Sequence, residues 1–373
     1  MTIVTNGAES PPTERAPEGA IRVVDLRDVQ RVIRTRAFDD VAANAGAALA
    51  SLAVVWLVYD ELLGLDGLLG FLVCWFSAYL VFYVAVSRRS HPGVVVTDRV
   101  VSAVIHLAAI VAGLALASAI VFVFVKGWPA LHHLNFYTQD MSGVRPTSPL
   151  TEGGILHAIV GTLVQIAIAT VIALPLGVGT AVFMTEVGGR LANFVRTTVE
   201  AMTAMPDVLA GLFVYTLLIV GLGWEKNGLA ASLAIAVTMA PVIARSAEVV
   251  LRIVPGGLRE AGLALGSSGW STVRYVVLPT ARMGLASSLI LGIARITGEI
   301  APLLIVSGAS TYLNLDPTNE PMNSLPLFVF TAVRSGEPLY IARGYGAAAL
   351  LLLLVLVLFV LTRLLAHRRG VSR

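Results

Sequence analysis

Long apolar runs recur along this chain, at about 43–60, 67–86, 100–125, 156–184, 200–223, 228–250, 284–306 and 345–366. A run of about 18 or more such residues can cross a hydrocarbon core of roughly 30 Å as a helix. The pattern therefore predicts an all-α, polytopic membrane helix bundle of eight spans. With 57% hydrophobic and 13% charged residues, the chain does not read as a soluble globule. The fifth run is the least regular, because Pro206-Asp207 interrupts it and only 208–223 is cleanly apolar. Prolines inside spans, here Pro175, Pro206, Pro241 and Pro302, are tolerated where neighbouring helices re-satisfy the backbone, which points to a packed bundle. Residues 1–20 have no apolar core, so no signal peptide is expected ahead of the spans. The lone Cys74 lies within a span and forms no intrachain disulfide.

Basic residues orient the spans. With both termini inside, nineteen of the 26 Lys and Arg fall in the cytoplasmic segments 1–43, 87–99, 185–199, 251–283 and 363–373. Five fall outside, and Arg245 and Arg295 lie within spans. Such an excess sets orientation by the positive-inside rule. The net charge of +3 is thereby accounted for by topology and lipid headgroups, without nucleic acid.

Between the sixth and seventh spans lies a short charged connection that begins at Pro255-Gly256-Gly257. Leu258, Ala261, Gly262 and Leu265 follow the i, i+3, i+4, i+7 spacing of one helix face, and Gly266 stands where helices commonly end. A second short helix is expected, with Trp270, Val273 and Val277 on one side and Pro279 as its stop. A water-facing helix pair between spans is a feature that another protein can grip. The chain itself lacks the means to use ATP. A Walker-type loop needs Lys after Gly, and the only lysines, Lys126 and Lys226, follow Val and Glu and fall outside. His132-His133 reads as an interfacial pair rather than as metal ligands. No enzyme activity, cofactor or metal is expected.

The sequence Glu260-Ala261-Gly262, followed by Gly266 and Leu278-Pro279, resembles the cytoplasmic coupling loop of permease subunits in ATP-binding-cassette importers, with Gly262 in place of the usual Ala. Further segments resemble the phosphate importers of that family, and their A-type permease subunit in particular. These are Met205-Pro206-Asp207-Val208-Leu209-Ala210-Gly211-Leu212-Phe213, with Asp207 for the usual Ser, and Ala294-Arg295-Ile296-Thr297-Gly298-Glu299-Ile300-Ala301-Pro302-Leu303-Leu304, with Ile300 for Thr. Asn323-Ser324-Leu325-Pro326 is the last of them. The resemblance implies a type I importer permease core of six spans over about 98–368, including a coupling loop at 251–283. An extra N-terminal hairpin at 41–92 and a cytoplasmic tail at 1–40, with an interfacial helix from Ile21 to Arg36, would precede it. It implies a homologous C-type permease as heterodimer partner, two ATPase subunits docked on the helix pair, an extracytoplasmic phosphate-binding protein and phosphate as cargo. Leu258, Ala261 and Leu265 would then lie in an ATPase groove with Glu260 at its rim. The rival expectations are a permease for sulfate, molybdate or another oxyanion, and a secondary transporter or channel without ATPase partners.

Charges inside spans cost about 2.5–3.5 kcal/mol each at a helix centre, so each marks a functional candidate. Arg295 and Glu299, four apart, would share one face of span seven near mid-membrane, with Arg295 offering planar donors to a passing oxyanion. Arg245 and Glu248 form a second pair on span six, and Arg245 is the third pathway candidate. Arg196 and Glu200 read as interfacial. Gln165, His157 and His106 read as satisfied polar groups between helices.

Overall fold

The structure is a computed structural model that describes residues 38–90 and 92–368. The expected tail helix at 21–36 lies outside the described residues. Among the described residues every regular element is a helix, and none is a strand. Seven helices are long and apolar enough to cross a membrane, and a bent pair supplies an eighth candidate. The chain divides into two compact units, residues 1–112 and 113–373.

In the first unit, α1 (Phe38–Trp56) passes through a wide π turn (Leu57–Leu62) and α2 (Leu68–Ser90) returns beside it. The hairpin is stitched by polar groups that apolar helices rarely leave unpaired. Trp75 Nε1 donates to the Ala48 carbonyl (3.2 Å) and Tyr79 Oη to Asn44 Oδ1 (3.0 Å). Helix α3 (Gly93–Leu131) is longer than the expected 100–125 span at both ends, because nothing between Pro92 and its last turn breaks it. Its first twenty residues belong to this unit.

The second unit holds α4 (Asn135–Thr138), α5 (Leu156–Val182, extended by a π turn at Phe183–Val187), α6 (Gly189–Ala204), α7 (Asp207–Val214, extended by Tyr215–Gly221) and α8 (Gly228–Ile253). Then come α9 (Gly256–Ala264), α10 (Gly269–Thr272), α11 (Leu278–Thr297), α12 (Ala301–Val306), α13 (Leu325–Val333) and α14 (Pro338–Arg368). Helix α8 is the axis of the core. Its Ala230, Ala231, Ala234, Met239 and Ile243 pack with Ala169 and Ala173 of α5, Val214 of α7, and Leu303 and Val306 of α12. Small side chains let helix backbones approach closely, the main source of packing energy where lipid is as apolar as the core.

Three expectations are corrected here. The fifth span is not one helix from 200 to 223. Helix α6 ends at Ala204, and α7 leaves at 101°. Proline at 206 biases the residue before it away from helical backbone, and Met205 is accordingly extended. The seventh span is also discontinuous. Helix α11 stops at Thr297 with Gly298 as its cap, and α12 restarts with Pro302 in its first turn, where a missing N–H costs nothing. Finally, Pro279 terminates nothing. Helix α10 continues through a π turn (Val273–Val277) directly into α11, and the wider turn gives the proline ring room beside the preceding carbonyls.

Candidate functional site

Helix α9 is short, and its position is fixed by its ends. The C-terminus closes as a two-bond cap. Gly266 N–H bonds the Leu263 carbonyl (2.9 Å), and Ser267 N–H bonds that of Gly262 (3.2 Å). Gly266 takes φ +83°, a left-handed conformation that costs glycine nothing. Ser268 Oγ accepts from Ser271 N–H to start α10 (3.2 Å). Gly262 is buried against Thr272, where a Cβ would sit 3.0 Å from Cγ2, so the smallest side chain suits the closest approach of α9 and α10.

Arg259, which the sequence did not single out, anchors α9. Its Nε and Nη2 reach both carboxylate oxygens of Glu186 (3.1 and 2.9 Å), in the π turn that ends α5. Nη1 donates to the Val254 carbonyl (2.7 Å) and Nη2 to that of Leu251 (2.9 Å). These carbonyls close α8, so the guanidinium satisfies acceptors that every helix end leaves open. Held in this way, α9 and α10 present Leu258, Glu260, Ala261, Leu263, Leu265, Trp270 and Tyr275 to the outside. Of the expected stripe, Leu258, Ala261 and Leu265 are exposed while Gly262 faces inward. Leu278 and Pro279 open α11. A groove of about 900 Å³ runs beside this pair, lined by Glu186, Arg196, Arg252, Arg259, Leu263 and Trp270 among others.

Behind the groove sits Glu248, with a side chain only 2% exposed. It receives three arginines. Arg196 Nε of α6 and Arg252 Nη2 of α8 each reach Oε1 at 2.7 Å, and Arg245 Nη1 reaches Oε2 at 3.1 Å. Arg245 also pairs with Glu200 of α6 (3.1 Å). The expected Arg245–Glu248 pair is present, and Arg196 and Glu200, read as interfacial, join it.

The two chain breaks meet beside the middle of α8. Met205, Pro206 and Asp207 lie against Val237 and Thr238, and Thr238 is about 15 Å along α8 from Gly228 at 1.5 Å per residue. Gly211 of α7 packs on Pro302 of α12. Arg295, in the last turn of α11, places Nη2 at 3.4 Å from Asp207 Oδ2. Glu299 lies in the break itself and within electrostatic reach of both. Arg295 and Glu299 therefore do not share a face of a continuous helix; the interruption turns Glu299 toward Asp207. Arg295 remains about half exposed, with guanidinium donors free for other acceptors.

At the far end of the bundle, Gln165 Nε2 donates to Ser307 Oγ (3.1 Å) and the Met322 carbonyl (3.2 Å), and Ser307 Oγ also donates to Met322. Asn323 Nδ2 donates to the Ser310 carbonyl (2.7 Å), and Leu325 N–H to Thr162 Oγ1 (2.7 Å). Arg343 Nη2 gathers the carbonyls of Ser148, Pro149 and Glu152. Asp140 accepts from the Leu313 and Ser142 N–H groups (2.9 and 3.0 Å). Burial raises its pKa, but these backbone donors outweigh it and hold the carboxyl below its ordinary range. His157 departs from its expected role: it is buried, and neither ring nitrogen has a partner. His106 Nδ1 pairs with the Ser102 carbonyl.

Comparison with known proteins gives one picture. The family described as "Binding-protein-dependent transport system inner membrane component" matches residues 173–371. Over 234 residues the chain is 40% identical to the phosphate transport system permease protein PstA 1 of Mycobacterium tuberculosis, covering 62% of this chain and 76% of that protein. It is 39% identical over 236 residues to PstA of Mycobacterium leprae (62% and 76% covered). With PstA of Haemophilus influenzae it shares 32% over 241 residues (64% and 83%). A solved chain of the inward-facing MetNI methionine ABC transporter is 26% identical, covering 59% of this chain and 95% of that one, with a TM-score of 0.43; that likeness bears no weight on the fold.

Proposed function

The chain belongs to the family of binding-protein-dependent transport system inner membrane components, and from that premise we propose that it is the permease subunit of an ATP-driven phosphate importer. It is a multi-pass inner-membrane protein, and it works with ATPase and binding-protein partners. The nucleotide chemistry falls to the ATPases; this chain provides the path and the lever.

The exposed face of α9 and α10 carries this reading furthest. Apolar side chains at Leu258, Leu263, Leu265 and Trp270 form a projecting ridge on a helix pair that Arg259 fastens to α5 and α8. Amphipathic helices of this kind dock in grooves, and the occupied groove belongs to an ATPase, with Glu260 at its rim. The coupling loop is residues 251–283, with Leu258, Glu260, Ala261, Gly262, Leu265, Gly266, Leu278 and Pro279 as its working residues. The excess of arginine on this side supports cytoplasmic termini. The permease core is 98–368, preceded in sequence by the 41–92 hairpin, in keeping with a family match that begins only at residue 173. A homologous C-type permease completes the pathway as a heterodimer partner.

The cargo passes the meeting point of the two breaks. Discontinuous spans at mid-membrane, with charged groups at the interruption, are how many transporters build a substrate site. Arg295 supplies planar donors to an oxyanion, and Glu299 and Asp207 keep it in place and prevent tight retention. Nucleotide binding and hydrolysis, by favouring one arrangement of the ATPases over another, shift the bundle between inward-open and outward-open states.

The test is uptake of radiolabelled phosphate in cells carrying Glu260→Lys or Gly266→Leu. Both variants insert normally, fail to retain the ATPase on purification and lose uptake. Normal uptake by both overturns the docking role. Competition by sulfate and molybdate in the wild type then fixes the anion.

A further inference from the structure

We propose that Glu248 and the charge ladder around it are positioning residues of the transport cycle, carrying displacement of the docked helix α9 to the break at Pro206. The inference rests on the importer reading and names the route by which the lever reaches the pathway.

Helix α6 joins the lever to the break. Its sequence, Gly-Arg-Leu-Ala-Asn-Phe-Val-Arg-Thr-Thr-Val-Glu-Ala-Met-Thr-Ala, is far more polar than any span, and only Ala192 and Val199 of it are buried. Apolar packing therefore holds it weakly, and its seat on α8 depends on ion pairs. Two rungs provide them: Arg196 of α6 to Glu248 of α8 at 2.7 Å, and Glu200 of α6 to Arg245 of α8 at 3.1 Å. The signs alternate along both helices, so the register is unique. Sliding α6 by one turn would set Arg196 beside Arg245 and leave the buried Glu248 without its α6 partner, and a buried charge stripped of a partner is costly.

Both halves of α6 then matter. At the close of its first half, Arg196 Nη2 also donates to the Met184 carbonyl (3.2 Å), in the π turn that ends α5. Glu186 of that same turn holds Arg259 of α9. Within two turns on from Glu248, the carbonyls of Leu251 and of the α8 cap Val254 receive the same Arg259. Displacement of α9 thus acts on the ends of α5 and α8, and through Glu248 on α6. At its other end α6 leads through Met205 into Pro206 and Asp207, whose carboxylate pairs with Arg295. A rigid helix between a lever and a break is a means of passing motion; a ladder that fixes its register makes the transfer all-or-none.

The experiment uses the complete importer, reconstituted in liposomes with its ATPases and its phosphate-loaded binding protein, and reads phosphate moved per ATP hydrolysed. Glu200→Gln, at a half-exposed rung, keeps the complex assembled and its ATPase active. Its phosphate-to-ATP ratio drops about threefold, and that of Glu248→Gln about tenfold, a range that mutations along a coupling route produce. Glu248→Asp restores most of the loss. The Glu200→Gln, Arg245→Gln double variant loses no more than the worse single one, because both remove one rung. An unchanged ratio in Glu200→Gln, or losses that multiply in the double variant, overturns the inference, even if Glu248→Gln fails to assemble. A wild-type complex that moves no phosphate sinks the importer reading instead, so the two failures are distinct.

Discussion

Two charge clusters, one between α6 and α8 and the other between α7 and α11, are built in opposite ways. Around Glu248 the carboxylate is sealed from solvent and bonded at 2.7 Å to two guanidiniums. Around Arg295 the guanidinium is half exposed and its contact with Asp207 is 3.4 Å. A buried charge must be fully partnered, because desolvation is repaid only by good geometry. An exposed, loose pair contributes little to stability, and it leaves donors available to a passing anion. The first cluster fixes helices; the second leaves a guanidinium exposed, as the proposed pathway requires.

The strongest way to break that contrast is Glu248→Ala. Removing one partner of a buried ion-pair network costs about 3–5 kcal/mol, so thermal unfolding of the purified chain in detergent should shift markedly. A loss below about 1 kcal/mol would make the two clusters alike.

Arg295→Gln sharpens the other side. Stability should change by less than about 1 kcal/mol and the complex should assemble. Loss of a charge-assisted contact of roughly 1.5–3 kcal/mol to the anion should lower uptake at least about tenfold. Failed assembly would turn Arg295–Asp207 into a structural lock and erase the distinction.

The smallest effect concerns Asp140, a third carboxylate, tied to backbone in the loops after α4 and α12. Its folded pKa lies below the unfolded value of about 3.9, so its stabilisation is fully present above that value and is lost as pH falls through the folded one. Protection of the Leu313 and Ser142 amides against hydrogen exchange should fall in that acidic window, and Asp140→Asn should remove the dependence. Protection that is flat with pH would rule out this tie.

The sequence was a reliable guide wherever a local property decides. Apolar length located six of the eight expected spans as single helices, since a run of about 18 residues in lipid has few alternatives to a helix. The cap at Gly266 was visible because a left-handed residue selects glycine. Of the expected stripe, Leu258, Ala261 and Leu265 are exposed together because helical period is local, whereas Gly262 turns inward against Thr272. Pro279 misled, since its cost depends on the turn around it, and a π turn absorbed it. The pairing of Arg295 with Glu299 at i, i+4 was sound for an unbroken helix; Gly298 and Pro302 were the available signs that the helix stops.

By itself, then, the amino-acid order determined that this chain is a helical membrane protein with a short helix pair on its arginine-rich side, because hydrophobic length, charge bias and capping are properties of neighbours in sequence. Only the tertiary structure decided who meets whom. Arg259 with Glu186 are 73 residues apart, Arg196 with Glu248 are 52 and Asp207 with Arg295 are 88. Ion pairs depend on distance and burial, and neither exists until the helices have packed.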